Sequence, residues 1–252
     1  NTLSAITQGA TSAKVQGAVL SLYDTARLRF PSIGGNETTW TELDKQVGAA
    51  LAGLGGAPVV LLSSTLLSPT TKKVIGEFLA KFPNSRHVVY DVVSHAGMLE
   101  ANLAAYGQRV IPSYHFENAK AVVSLGADFL GTWLNPVEYS RQFAQTRKID
   151  VKKPEMSKHF QFESTMSLSG ANADERYTHR PSETGAVALA LLAAVGGSVS
   201  APAIADKRLS EGIQKAAKEL KANTGKALVV SGSNDVNVQL IVHAINNIVG
   251  AN

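Results

Sequence analysis

VVSLGADFLGTW, residues 122–133, decides the fold. An apolar run stops at Gly126, an acid follows at Asp128, and a second glycine comes at Gly131. Strands buried in a parallel sheet read as short, near-continuous apolar runs. When such a strand ends in glycine and a short polar residue ahead of a helix, the helix N-terminus presents free N–H groups to whatever sits there. The chain repeats this ending at 228–235, LVVSGSND, with Gly232, Ser233 and Asn234 in the turn. The two share a local geometry and not a sequence repeat.

Working outward, strands and helices alternate five times. WTELDKQVGAALAGL (40–54) has helical spacing, with Leu43, Val47, Ala50, Leu51 and Leu54 on one face and Thr39 or Thr41 as cap. PVVLLSS (58–64) is a short strand, and SPTTKKVIGEFLAKF (68–82) a helix with Ser68 as N-cap and Pro69 in its first position. RHVVYDV (86–92) is a strand and HAGMLEANLAAYG (95–107) a helix closed by Gly107. After the strand KAVVSLG (120–126), NPVEYSRQFAQTR (135–147) is a helix capped by Asn135, and KHFQFEST (158–165) alternates as a strand. SETGAVALALLAAVGG (182–197) and ADKRLSEGIQKAAKELKANTG (205–225) are helices, KALVVSGS (226–233) a strand, and NDVNVQLIVHAINNIVG (234–250) the closing helix. Such alternation predicts an α/β fold: a doubly wound, mostly parallel sheet with helices on both faces, whose ligands lie outside the carboxyl ends of the strands. Residues 1–35 read as an N-terminal extended segment packing on the core, and 36–252 as the α/β domain. IDVKKPEMSK (149–158) reads as a surface loop, and the polar run Asp174–Glu175–Arg176 with His179 and Arg180 as another, tied by ion pairs.

Composition narrows the function. Of 252 residues 44% are hydrophobic, enough for one large core or two modest ones. A net charge of +4, with its cations spread along the chain, gives no nucleic-acid footprint. The absence of cysteine excludes disulfides, thiolate-held zinc, cysteine-ligated iron–sulfur clusters and a cysteine nucleophile from this chain. No apolar run reaches the ~18 residues of a membrane helix, so no direct membrane insertion is expected. The opening NTLSAITQGATSAK has no initiator Met and no apolar core behind a basic head. The chain therefore reads as a piece of something longer, and the missing leader says nothing about export.

Local motifs supply no machinery. GADFLG keeps only the outer glycines of G-x-G-x-x-G, and GADFLGTW has Thr132 and Trp133 where a phosphate loop needs Lys and Ser/Thr. No G-x-S-x-G elbow occurs. Of six histidines, His87, His159 and His243 read as structural, and His95, at a strand-to-helix junction beside Ser94, is the most site-like. By spacing alone the chain offers a nucleotide-binding scaffold.

Several landmarks occur in a telling order: GATSAKVQ at 9–16, LYDTARLRFP at 22–31, a W-x-x-x-D helix at 40–44, SHAGMLEANLAAYG at 94–107, SLGADFLGTWLNP at 124–136, and FQFESTMSLSGANADERYTHRPSETGAVALALL at 160–192. Together they resemble the first half of a molybdopterin oxidoreductase of the bis-guanine-dinucleotide type. They are most similar to the cysteine-poor relatives that form the B subunit of alternative complex III, a bacterial respiratory quinol-oxidising complex. In active members a G-x-x-C-x-K-G loop supplies a cluster ligand. Here Ser12 stands at the cysteine position and Val15 at the glycine, while Lys14 is kept. The resemblance places the molybdenum ligand at or next to Ser94, beside His95. The arginine-proline-glycine turn near the cofactor's nucleotide arm matches Arg180–Pro181–Ser182, with Ser182 for glycine. Asp128 and Phe129 replace an asparagine-proline pair, which puts a carboxylate and a bulky ring where a pyrophosphate and guanosine would lie.

The resemblance thus implies a cofactor-free, non-catalytic scaffold. Its vestigial cofactor-binding positions are Ser12, Lys14, Ser94, His95, Gly126, Asp128, Asn172, Arg180, Ser182, Gly232 and Ser233, with no catalytic residue and no metal ligand. The implied partners are the iron–sulfur domain of the same parent subunit and the haem and quinol-binding subunits of a membrane complex, at the periplasmic side of the bacterial inner membrane. An exposed apolar patch is expected where that parent docks. Two alternatives stand beside it: an active fragment holding molybdopterin guanine dinucleotide with Ser94 on the metal, and a nucleotide or small-molecule binding domain using Asp128 and the Ser233–Asn234 turn.

Overall fold

A computed structural model describes residues 2–152 and 154–251. Lys153, within the loop expected at 149–158, lies outside the described residues. The chain divides into two compact units, Ala13–Ser94 and Asn1–Ser12 with His95–Asn252.

The Ala13–Ser94 unit begins with a short helix α1 (Ala13–Gly17) and a 3₁₀ turn (Ala18–Leu22) inside the stretch expected to be extended. Two-residue strands β1 (Ser32–Ile33) and β2 (Asn36–Glu37) pair antiparallel around Gly34 and Gly35, both at positive φ. Helix α2 (Trp40–Ala52) is capped by Thr39, whose Oγ1 accepts from the Glu42 N–H at 3.2 Å. Strand β3 (Val60–Ser63) leads to α3 (Pro69–Leu79), capped by Ser68 with Pro69 in the first turn. Strand β4 (Arg86–Val89) then pairs parallel with β3. Cap chemistry and periodicity therefore place these elements within two or three residues of expectation. No residue from Ala13 to Ser94 is buried.

The other unit carries α4 (Ala96–Tyr106), β5 (Ala121–Leu125), α5 (Pro136–Thr146), β6 (Lys158–Glu163), the single turn α6 (Leu168–Ala171), β7 (Glu175–Thr178), α7 (Thr184–Val195), α8 (Lys207–Ala222), β8 (Ala227–Ser231) and α9 (Val236–Val249). Gly107 closes α4 at φ 71°, a left-handed conformation that glycine adopts without cost. Asn135 stands at the start of α5 but does not cap it; its amide donates to Glu138 Oε2 at 2.6 Å. Four strands form one parallel sheet in the order β7-β6-β5-β8.

Alternation along the strands divides the core. Ala121, Val123 and Leu125 join Phe160, Phe162, Tyr177, Ala227 and Val229 under α7, α8 and α9. Val122 and Val230 point the other way, into Met98, Phe116, Phe129, Tyr139 and Phe143. Each such side chain contributes ~1.5–3 kcal/mol by leaving water, so the sheet is held from two sides.

Two sequence expectations change here. The polar run at 174–178 is not a loop: Glu175–Thr178 forms β7, and Tyr177 is buried with its ring stacked on Phe162 at 5.3 Å. Its charges suit an edge strand, where they discourage further pairing. The alternation of β6 does not put a polar face in water, because His159, Gln161 and Glu163 are all buried. The outer edge of β8 is closed by amides of α9. Asn246 accepts from the Val229 N–H at 2.9 Å and donates to its carbonyl at 2.8 Å. Gln239 Nε2 donates to the Ser231 and Ser233 carbonyls.

Candidate functional site

The chain lays down β5, moves outward to β6 and β7, and returns to the other side of β5 for β8. The order reverses between β5 and β8, which is where an open α/β sheet makes its ligand crevice. The glycine turns after these two strands therefore lie side by side. Gly126 is at φ 71°. The Gly232 N–H donates to the Leu125 carbonyl at 3.0 Å, and a Cβ on Gly232 would overlap the Gly126 carbonyl. The second glycine is thus required for the two turns to touch.

Asp128 clamps the first turn. Its Oδ1 accepts from both the N–H and the hydroxyl of Ser169 at 2.9 Å, and its Oδ2 accepts from the Thr132 hydroxyl at 3.1 Å. Its carbonyl accepts from the N–H groups of Gly131, Thr132 and Trp133. Gly131 has no room for a side chain, because a Cβ there would overlap the Asp128 carboxylate. Ser169 Oγ also accepts from the Leu130 N–H at 2.9 Å. Phe129 points into the core instead of over the rim. It is fully buried, stacked on Phe116 at 4.4 Å and edge-on to Phe143 and His159. The crowding expected of this ring does not arise at the turn surface.

Glu163, at the end of β6, is the second rim carboxylate. It accepts from Ser167 Oγ at 2.6 Å, the Ser167 N–H at 3.2 Å, Gln161 Nε2 at 3.1 Å and Arg176 Nε at 2.5 Å. Burial by itself would raise its pKa, but the Ser167 and Arg176 hydrogen bonds prevail and hold it below the ordinary range. The α6 turn packs so closely that a Cβ on Gly170 would overlap this carboxylate. Behind it, His159 Nε2 meets Gln161 Oε1 at 3.0 Å, and burial lowers the imidazole pKa to about 4. At the start of the strand Asp174 accepts from the His159 N–H at 2.7 Å and takes both guanidinium nitrogens of Arg147 at 2.6 and 2.9 Å. Burial raises the Asp174 pKa, and Arg147 with the His159 N–H overrides it downward.

The second turn is tied to α4. Asn234 Oδ1 accepts from the Gly97 N–H at 2.8 Å, and a Cβ on Gly97 would overlap the Asn234 carbonyl. His95 takes the N-cap position of α4 without a side-chain cap bond. Ser233 Oγ accepts from the Asp235 N–H at 3.2 Å.

The structure brings Gly126, Asp128, Gly232 and Ser233 together at this rim, with His95 on the turn beside Gly97. Other expected positions fall elsewhere. Asn172 closes its own turn, donating to the Leu168 carbonyl at 2.8 Å. Arg180 and Ser182 belong to the 3₁₀ turn before α7, where the Arg180 N–H donates to Glu183 Oε2 at 2.8 Å. Arg180 borders a separate cleft with His179 and Asp206. Ser12 belongs to the same unit as the rim, whereas Lys14 and Ser94 belong to the Ala13–Ser94 unit. Sequence patterns do not single out the rim residues Glu163, Ser167, Ser169 and Gly170, and they place Arg176 in a surface loop. Their partners lie up to 41 positions away, and only the contacts of Ser167 with Glu163 and Gly170 are local.

This donor set does not suit a pyrophosphate. The Asp128 carboxylate stands half-buried at the rim, Glu163 is buried and paired with Arg176, and the rim's serine hydroxyls and the Asn234 amide oxygen are engaged with the chain itself. Among the described residues no three of His, Asp and Glu gather into a metal-holding group, and no helix is long and apolar enough to cross a membrane. Neither the models of known protein families nor the curated proteins match this chain.

Proposed function

We propose that the chain is a non-catalytic α/β scaffold, doubly wound and molybdopterin-oxidoreductase-like, within a respiratory quinol-oxidising complex of the alternative complex III type. The resemblance supplies the family, the periplasmic setting and the partners: the iron–sulfur domain of its parent subunit and the haem and quinol-binding subunits. The observation that carries the non-catalytic part is the self-engagement of the rim. Asp128 accepts from Ser169 and Thr132, Glu163 from Ser167 and Arg176, and Asn234 from Gly97. A cofactor would have to break these bonds and approach the Asp128 carboxylate, a cost that rises as water leaves.

Docking is supported by the Ala13–Ser94 unit. None of its residues is buried, and Leu28, Leu67 and Val92 are more than 80% exposed, apolar area that a partner would take out of water. Cross-linking in native membranes through Lys45, Lys72 and Lys81 tests the assignment. Links to an iron–sulfur polypeptide are expected; a chain that fractionates away from membranes without such links contradicts it.

A further inference from the structure

At the edge of the sheet opposite the glycine turns, where β5 and β8 begin, lies a second cavity of about 240 Å³ between α4, α9 and the 112–119 loop. A cavity of ~150 Å³ holds one benzene ring, so this one has room for a ring with small substituents. Its walls combine rings, Tyr106, Tyr114, His115 and His243, with the amides of Asn102 and Asn118. Among the described residues Lys226 is the only lysine or arginine that lines it, and no Asp or Glu does. Half-buried rings beside a single lysine, with no anion, favour a flat ligand carrying one negative charge.

His243 adds a specific demand. Its Nε2 is buried with no hydrogen-bond partner, and such a nitrogen costs free energy until a donor or acceptor reaches it. Tyr106 covers the imidazole edge-on at 5.2 Å, and that tyrosine is itself 56% exposed. His243 lines the cavity, so a ligand there is the nearest source of a partner for this nitrogen. Burial lowers the His243 pKa, so the imidazole is neutral at pH 7 and can accept from a hydroxyl.

We infer that this cavity binds a small single-ring aromatic carboxylate, its ring among Tyr106, Tyr114 and His243, its carboxylate toward Lys226, and a ring hydroxyl on the His243 imidazole. No part of the carboxyl rim takes part.

The test is a titration of the full chain with 4-hydroxybenzoate, benzoate and cyclohexanecarboxylate, followed by backbone amide shifts. Saturable shifts with 4-hydroxybenzoate are expected at Asn102–Tyr106, Tyr114–Ala119, Lys226–Leu228 and Val242–Asn246, with a Kd near ~1 mM, ordinary for a one-ring ligand. Benzoate should bind several-fold more weakly and cyclohexanecarboxylate weakest. Lys226→Met should weaken all the carboxylates, and His243→Phe should erase the preference for the hydroxylated ring. Lys226 is exposed, so its variant keeps the test standing if His243→Phe fails to fold. Absence of saturation, equal binding of the non-aromatic acid, shifts centred on Gly126–Gly131, or indifference to Lys226→Met would each overturn the assignment.

Discussion

The two units use the same local chemistry and reach different ends. Ser68 caps α3 with a hydroxyl accepting from the third residue on, and Asp206 caps α8 with a carboxylate in the same way. Both units contain parallel strands. In one, every residue of β5 is buried; in the other, β3 and β4 have none. Parallel sheets are ordinarily covered on both faces, and most helical stability comes from packing an apolar face rather than from propensity. Local signals thus suffice to shape the Ala13–Ser94 unit, while the sheet of the other unit is held by long-range burial.

The sharpest way to break this contrast is a pair of truncations. Phe129→Ala should cost ~3–5 kcal/mol in urea unfolding, the usual penalty for emptying a filled aromatic site. Leu62→Ala, in a strand where that side chain is 67% exposed, should stay within ~0.5 kcal/mol. Equal losses would mean that the two units share one kind of core.

Next in size is an acid effect confined to the four-stranded unit. Burial holds the folded His159 imidazole at about 4, against an ordinary value of ~6.5. Above pH 6.5 neither state is charged and the group is neutral to stability. As pH falls from 6.5 to 4 the unfolded chain gains a proton that the folded chain refuses, so stability drops by about 3 kcal/mol. Glu163 and Asp174, with lowered pKa values, add further loss below the ordinary carboxylate range as they are forced to protonate. Chemical denaturation at stepped pH should show a decline beginning near neutrality, which His159→Gln removes down to pH 5. A flat profile over that interval would place the imidazole in water.

Asn246→Ala should follow, at ~1–3 kcal/mol, by leaving the Val229 N–H and carbonyl on the edge of β8 unpaired. Thermal unfolding reads it, and Asn246→Asp should recover only part, since a carboxylate accepts from the N–H but cannot donate to the carbonyl. Below it comes Ser68→Ala, ~1 kcal/mol of helix stability, visible as faster amide exchange within α3 while β5 and β6 stay unchanged.

The fold was legible where one strand or helix carries its own signature. Ser68–Pro69, Gly107 and the paired endings at Gly126 and Gly232 all lie within a few residues of what they specify. The rim was only half legible. Gly126 and Asp128 stand out in sequence, but the Ser169 that holds Asp128 lies 41 residues on, and no periodicity links them. Strand β7 was hidden by its charges, since Glu175 and Arg176 look solvated until Glu163 is seen opposite. Phe129 looked like an obstruction at a turn, whereas Phe116, thirteen residues earlier, draws its ring into the core.

The proposal that the carboxyl rim, closed by the chain's own side chains, carries no redox cofactor is tested most directly by metal and pterin content. Molybdenum and pterin should be measured in protein isolated from its native membranes, per mole of chain. The account predicts both far below stoichiometric; one molybdenum and two pterins per chain would contradict it.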